Sequence, residues 1–111
     1  MHAFDVLCDP VRRRILELLS EGEHTSGDVV EVIRKEFGIT QSAVSQQLKV
    51  LRENGFATVR AEGTRRLYSV DARPLADIDA WLERFRRFWG PPLDALATEI
   101  ARGKRAKRPG R

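Results

Sequence analysis

Residues 40–56 read Thr-Gln-Ser-Ala-Val-Ser-Gln-Gln-Leu-Lys-Val-Leu-Arg-Glu-Asn-Gly-Phe, and this stretch decides the fold. Val44, Leu48 and Leu51 fall at i, i+4 and i+7, the spacing of one buried stripe on a helix. Thr40 stands where an N-cap is wanted, and Gly55 where a chain leaves a helix in the left-handed conformation. The opposite face carries Gln41, Ser42, Ser45 and Gln46, then Lys49 and Arg52. Amides and hydroxyls suit hydrogen bonding to base edges, and the cations that follow suit phosphates. The competing explanation is an ordinary solvated helix face.

The residues that follow favour the first explanation. Phe56 to Glu62 reads as a strand, Gly63-Thr64 as a tight turn and Arg65 to Val70 as a returning strand. This hairpin is apolar at Phe56, Val59, Leu67 and Val70 and carries Arg60, Arg65 and Arg66 around its tip. A helix-turn-helix followed directly by a basic hairpin predicts a winged helix-turn-helix, mainly α with a small β-hairpin, acting on double-stranded DNA. Gln41, Ser42, Ser45 and Gln46 then meet the major groove, and Lys49 meets phosphate. Arg60, Arg65 and Arg66 complete the DNA-binding set, with Arg65 and Arg66 reaching the adjacent minor groove or its phosphates. Which of those two points outward depends on hairpin register, which the sequence leaves open.

Upstream, Ala3 to Cys8 is a short amphipathic segment with Phe4 and Leu7 as its apolar positions. Asp9-Pro10 predicts a helix start, with Asp9 as N-cap and Pro10 in the first turn. Val11, Ile15, Leu18 and Leu19 bury one side of this helix, and Gly22 ends it. Thr25-Ser-Gly-Asp28 resembles a capping box. The helix it opens buries Val29, Val30, Ile33 and Phe37 and stops at Gly38, leaving Ile39-Thr40 as the turn into the reading helix. Arg12, Arg13 and Arg14 read as a solvated or ion-paired face in preference to a DNA contact.

Downstream, Pro74 opens the last long element. Leu75, Ile78, Leu82, Phe85, Trp89, Leu93, Leu96 and Ile100 form one apolar seam at helical spacing, widened by Trp81 and Phe88. Gly90-Pro91-Pro92 lies inside the seam, which predicts a kinked helix or two helices sharing one face. A domain this small already has a core from its first helices, so the seam points to self-association over folding back on that core.

The 111 residues fit one small domain, 1–102, and a basic, disordered tail, 103–111, which serves either as a DNA-binding arm or for solubility. The net charge of +4 is unevenly placed: residues 103–111 carry five cations and no acid. Residues 40–70 hold five cations against two acids, and residues 1–39 five against eight. Positive charge is thus concentrated on the reading unit and the tail, where counterion release would use it. A single cysteine, no stretch of membrane-spanning length and no signal-peptide pattern fit a cytoplasmic protein with no membrane association.

Three segments carry a family resemblance: Cys8-Asp-Pro-Val-Arg-Arg-Arg-Ile-Leu16, Gln41-Ser-Ala-Val-Ser-Gln-Gln-Leu-Lys-Val-Leu-Arg52 and Glu62-Gly-Thr-Arg-Arg-Leu-Tyr68. In this order, over roughly residues 3–102, they resemble the ArsR (ArsR/SmtB) family of bacterial repressors, and Leu82-x-x-Phe-x-x-Phe-Trp89 resembles a subgroup of it without metal sites. The resemblance implies a homodimer joined through its first and last helices, binding a palindromic operator and repressing transcription. The interface would take in Phe4, Leu7, Leu75, Ile78, Leu82, Phe85, Trp89, Leu93 and Leu96. Two departures stand out. Gln47 occupies a position where many members carry His, which bears on base or phosphate contacts, and Gly90-Pro91-Pro92 interrupts a terminal helix that is usually continuous.

Metal sensing in that family uses a Cys pair near the third helix or Asp, His and Glu on the last. Residues 71–102 contain no His and no Cys, and His2, His24 and Cys8 do not make a tetrahedral set, so neither a metal nor another cofactor is expected. Arg12, four residues after Cys8, would activate the thiol if the sulfur were exposed. By resemblance the position holds a small buried residue, which favours an inert thiol. No small-molecule or redox effector is identified. There is no nucleophile–base constellation and no glycine-rich phosphate loop, so an enzyme is not expected. The alternative to a DNA-binding regulator is a winged-helix protein-interaction module, against which the polar reading face and the wing arginines argue.

Overall fold

The computed structural model describes residues 2–89. Five α-helices and three strands follow one another as α1 (Ala3–Leu7), α2 (Pro10–Ser20), β1 (His24–Thr25), α3 (Ser26–Phe37), α4 (Gln41–Glu53), β2 (Ala57–Glu62), β3 (Arg65–Val70) and α5 (Arg73–Glu83), with a 3-10 turn at Arg86–Phe88. The chain divides into two compact units, one reaching to Ile78 and one beginning at Asp79.

In the first unit each helix start follows from its cap. Asp9 Oδ1 accepts from the N–H groups of Val11 at 2.7 Å and Arg12 at 3.3 Å, satisfying orphan donors of α2. Thr25 Oγ1 accepts from Asp28 N–H at 3.0 Å to open α3, and Thr40 Oγ1 accepts from Ala43 N–H at 3.1 Å to open α4. Gly38 ends α3 in the left-handed conformation at φ 66°, its N–H donating to the Arg34 carbonyl at 2.8 Å, so that the chain turns into α4 within three residues. Gly55, at φ 80°, turns it out again.

The core is the side where these helices meet. Ile15, Leu16, Leu18 and Leu19 of α2, Val29 and Ile33 of α3, and Val44, Leu48 and Leu51 of α4 are buried together with Val6, Phe56, Ala57 and Tyr68. Full burial of each aliphatic side chain is worth about 1.5–3 kcal/mol, so the packing of the three helices outweighs their individual helix propensities. Val30 is only half-buried and Phe37 is 37% exposed, so α3 buries a narrower stripe than its sequence suggests. In α1 the buried residue is Val6; Phe4 is 40% exposed and Leu7 is half-buried.

The sheet holds one strand more than the hairpin. β1 pairs antiparallel with β3, which lies between β1 and β2. Opposite residues in the hairpin are Glu62 and Arg65, Ala61 and Arg66, Arg60 and Leu67, and Val59 and Tyr68. Alternation then puts Val59, Tyr68 and Val70 on the core face. Leu67, which the alternation of the sequence had grouped with them, is buried on the opposite face beside Arg60 and Thr25.

α5 ends at Glu83, ahead of the glycine–proline pair, and residues 84–85 form a turn before the 3-10 segment. The predicted single seam is therefore interrupted between Leu82 and Phe85. In the second unit the Trp81 and Phe85 rings pack 4.9 Å apart at 54°. Arg86 reaches back to Glu83 at 2.8 Å and Asp79 at 3.4 Å. The Gly90-Pro91-Pro92 break, Leu93, Leu96, Ile100 and the basic tail lie outside the described residues. Among the described residues no helix is long and apolar enough to cross a membrane.

Candidate nucleic-acid interface

The stripe of Val44, Leu48 and Leu51 pins α4 with its other face outward. Gln41, Ser42, Ser45, Gln46 and Lys49 are all exposed, and together with Thr40 they line one concavity of about 610 Å³. Gln41, Ser45, Gln46 and Lys49 have no side-chain partner among the described residues, whereas Ser42 Oγ lies 3.3 Å from the Oγ1 of Thr40. An open face of unengaged amides and hydroxyls at the start of a helix is chemically equipped to exchange hydrogen bonds with base edges. A second cleft of about 760 Å³ runs between α3 and the first turns of α4, bringing Arg34 and Lys35 near Gln41 and Ser45. Sequence reasoning passed over Arg34 and Lys35. Their place just ahead of the Gly38 turn is the signal that would have found them.

The wing presents its arginines unequally. Arg60 donates from Nε and Nη2 to both carboxylate oxygens of Glu23 at 2.8 Å, and from Nη1 to Glu62 at 3.3 Å. Ser69 Oγ also donates to Glu23, at 3.3 Å. Arg65 is paired with Glu62 across the turn. Arg66, opposite Ala61 and on the other face of the hairpin, has no ion pair among the described residues. The register puts Arg65 on the face of Arg60 and Glu62 and Arg66 on the face of Val59 and Tyr68, and both side chains are exposed. The Arg60 guanidinium holds the Glu23 carboxyl below its ordinary range, and Arg65, followed by Arg60, does the same to Glu62.

The arginine triplet of α2 is engaged within the fold, Arg12 nearly buried and Arg13 exposed. Arg12 donates from Nε to the Val6 carbonyl at 2.8 Å and from Nη2 to the Asp5 carbonyl at 3.0 Å, and Arg13 donates to the Leu7 carbonyl at 2.6 Å. These are the last carbonyls of α1, which have no partner within their own helix. Arg14 binds Glu36 of α3 through Nε at 2.8 Å, and this bond raises the arginine's already high pKa further. Gln47 also faces inward, accepting from Arg12 Nη1 at 2.9 Å and donating to Asp9 Oδ2 at 3.2 Å. Gln47 thus bonds within the fold, whereas Gln46 and Lys49 beside it are exposed and unbonded among the described residues. A usable signal was present: Val44, Gln47, Leu48 and Leu51 follow i, i+3, i+4 and i+7, so Gln47 sits within the buried stripe.

Cys8 is exposed, contrary to the buried position expected from resemblance. Its thiol donates to the Asp5 carbonyl at 3.0 Å, while the guanidinium of Arg12 is engaged elsewhere. Among the described residues no group of three or more His, Cys, Asp or Glu side chains is arranged to hold a metal ion. Of the residues assigned to self-association, Leu7 and Leu75 are partly buried against the first unit's own core. Phe4 is exposed on that unit. Ile78, Leu82 and Phe85 are half-buried and Trp89 is 38% exposed.

A three-helix core, a capped helix with an open polar face and a following β-hairpin define a winged helix-turn-helix regulator. Residues 9–59 match the family described as "Bacterial regulatory protein, arsR family". The HTH-type transcriptional regulator Rv2034 of Mycobacterium tuberculosis is 36% identical over 98 residues, covering 88% of this chain and 85% of that protein. Transcriptional repressor SdpR of Bacillus subtilis is 31% identical over 84 residues, covering 76% and 89%. The match to Rv0081 of Mycobacterium tuberculosis, 39% identical over 75 residues, covers 68% of this chain but 63% of that longer regulator. Among solved structures, a protein described as a possible transcriptional regulator for arsenical resistance shares the fold at a TM-score of 0.64 and 35% identity, over 89% of this chain and 96% of that one. The homodimeric winged helix-turn-helix DNA-binding domain of Mb0332 from Mycobacterium bovis gives 0.53 at 28% identity, over 77% and 75%. The chain belongs to the ArsR family, whose members are DNA-binding transcriptional regulators and not enzymes.

Proposed function

We propose that the protein is a homodimeric repressor that reads a palindromic operator in double-stranded DNA and does so without a metal. The observation that carries this reading is the concavity on α4, where Gln41, Ser42, Ser45, Gln46 and Lys49 converge, with the wing following directly. In this reading Gln41, Ser42, Ser45 and Gln46 meet base edges in the major groove, and Lys49 meets phosphate. Arg66 reaches the flanking backbone or minor groove from the wing, joined by Arg60 and Arg65 when DNA phosphates displace their acidic partners. Self-association uses the first and last helices, through Phe4, Leu7, Leu75, Ile78, Leu82, Phe85, Trp89, Leu93 and Leu96, and draws support from the homodimeric state of the Mb0332 domain. A palindrome follows from two-fold symmetry, the two copies of α4 meeting successive major grooves about 34 Å apart.

The second reading, a winged-helix interaction module, draws support from the wing, where Glu23 and Glu62 partly neutralise two of the three arginines. One experiment separates the two. Random-sequence duplexes are selected with the purified protein, with and without EDTA. Recovery of one inverted repeat under both conditions is the expected result. No enrichment under either condition would overturn specific DNA binding and favour the interaction module. Enrichment that EDTA alters would overturn metal independence.

A further inference from the structure

α4 is held in the core mainly by Val44, Leu48 and Leu51, and apolar contact is non-directional. Such contacts tolerate a small rotation of a helix about its axis, whereas hydrogen bonds to base edges do not. One polar cluster lies within this apolar setting and has the directionality the stripe lacks. Gln47 uses both ends of its amide, accepting from Arg12 Nη1 at 2.9 Å and donating to Asp9 Oδ2 at 3.2 Å. The other oxygen of Asp9 is committed to the N-terminus of α2, and the other nitrogens of Arg12 to the Val6 and Asp5 carbonyls at the end of α1. The Arg12 side chain is 12% exposed, so its bonds compete little with water. Three helices meet at this cluster, and each of its members is oriented by the next.

We infer that Gln47 is a positioning residue for DNA reading: through Arg12 and Asp9 it fixes the rotation of α4 on the corner formed by α1 and α2. This rests on the proposed DNA-binding function, and it assigns to Gln47 no contact with DNA. Because the same arginine holds the end of α1, a displacement of α1 is passed to the reading helix through two side chains.

The test uses the full chain with Gln47→Leu, Arg12→Lys, both together, and Gln47→Glu with and without Asp9→Asn. Two quantities are read: amide hydrogen exchange in α4, and affinity for a duplex selected by the wild-type protein relative to a scrambled duplex. Gln47→Leu is expected to speed exchange in α4 and to lower the selected-to-scrambled ratio about tenfold, the effect of losing hydrogen bonds to charged groups. Affinity for the scrambled duplex stays the same. Arg12→Lys keeps the charge but loses the fork, and it is expected to act in the same direction, with the double variant no worse than Gln47→Leu alone. Gln47→Glu alone sets two carboxylates against each other. Adding Asp9→Asn restores both exchange and ratio, because the new amide donates to the new carboxylate and still caps α2.

Unchanged exchange with Gln47→Leu would overturn the inference, as would strictly additive losses of ratio, which would place Gln47 on the DNA itself. If the wild-type protein selects no duplex, the DNA reading fails. Exchange and its rescue by the paired substitution then still decide whether the cluster fixes α4.

Discussion

Two groups of positive charge among the described residues, one on α2 and one on α4 with the wing, are bonded differently. Arg12, Arg13 and Arg14 are consecutive, yet their guanidinium groups are taken up by the carbonyls of α1, by Gln47 and by Glu36. Lys49 stands alone in sequence and Arg66 beside a single arginine, and both are unpaired among the described residues. What an arginine offers a phosphate depends on whether its donors are already committed, and local charge density does not report that. An arginine can be a structural part whose planar fork closes a helix end, and its removal then takes a hydrogen-bond donor from the carbonyls there.

The largest effect that tests this contrast is on stability. Arg12→Ala is expected to lower the free energy of unfolding by about 2–3 kcal/mol, since it takes the side-chain donor from the Val6 carbonyl and one of the two bonds of the Gln47 amide in a part-buried setting. Lys49→Ala is expected to change it by no more than about 0.5 kcal/mol, as for an exposed residue without partners. Urea unfolding of the two variants measures both. An unfolding midpoint for Arg12→Ala equal to that of the wild type would erase the distinction between the groups.

The next effect runs the other way and is on binding. Gln46→Ala is expected to cost about 1–2 kcal/mol of affinity for the selected duplex, concentrated at one base pair, with stability unchanged. The same titration with Arg13→Ala is expected to match the wild type, because Arg13 is committed to the Leu7 carbonyl. A loss with Arg13→Ala and none with Gln46→Ala would place the interface on α2.

A finer comparison lies inside the wing. Arg66→Ala is expected to reduce the salt dependence of DNA binding by about one phosphate contact, and Arg65→Ala by less, because Arg65 must first leave Glu62. Glu62→Gln removes that competitor and is expected to bring the effect of Arg65→Ala up to that of Arg66→Ala. Equal slopes in the wild-type background would show that the Glu62 pairing does not compete with phosphate.

Much of this was legible in the sequence because it is local. Caps at Asp9, Thr25 and Thr40, the left-handed turns at Gly38 and Gly55, and the stripe of Val44, Leu48 and Leu51 depend on neighbours within a few residues. The illegible parts join distant residues. β1 is two residues long and exists only because β3 lies beside it. Arg60 meets Glu23 across 37 residues, and Arg12 meets Gln47 across 35. Gln47 was masked by its residue type: a polar side chain in a buried stripe reads as an interruption until its partners are seen. The turn at 84–85 was missed because no glycine or proline marks it, and Gly90-Pro91-Pro92, where the kink was expected, lies outside the described residues.

The smallest expected effect follows from what each group's arginines are bonded to. The carbonyls that hold Arg12 and Arg13 do not titrate, whereas the carboxylates of Glu23 and Glu62 do. Both carboxyls are shifted below their ordinary range by their arginine partners. A lowered folded-state pKa contributes stability that is present above the unfolded-state value and is lost as pH falls through the folded one. Acidification should therefore weaken the tie between Arg60 and the segment preceding β1 while leaving the arginine–carbonyl bonds at the end of α1 in place. Glu23→Gln removes this contribution at neutral pH, so the variant should lose less stability than the wild type when urea midpoints at about pH 7 and about pH 3 are compared. The difference should be small, because Arg60 and Glu23 keep 54% and 33% of their side-chain surface in water, which screens the pair. It should shrink further at high salt. Identical acid losses in the two proteins would mean that the pairing of Glu23 with Arg60 adds nothing to folding, leaving Glu23 only as a rival of phosphate for that arginine.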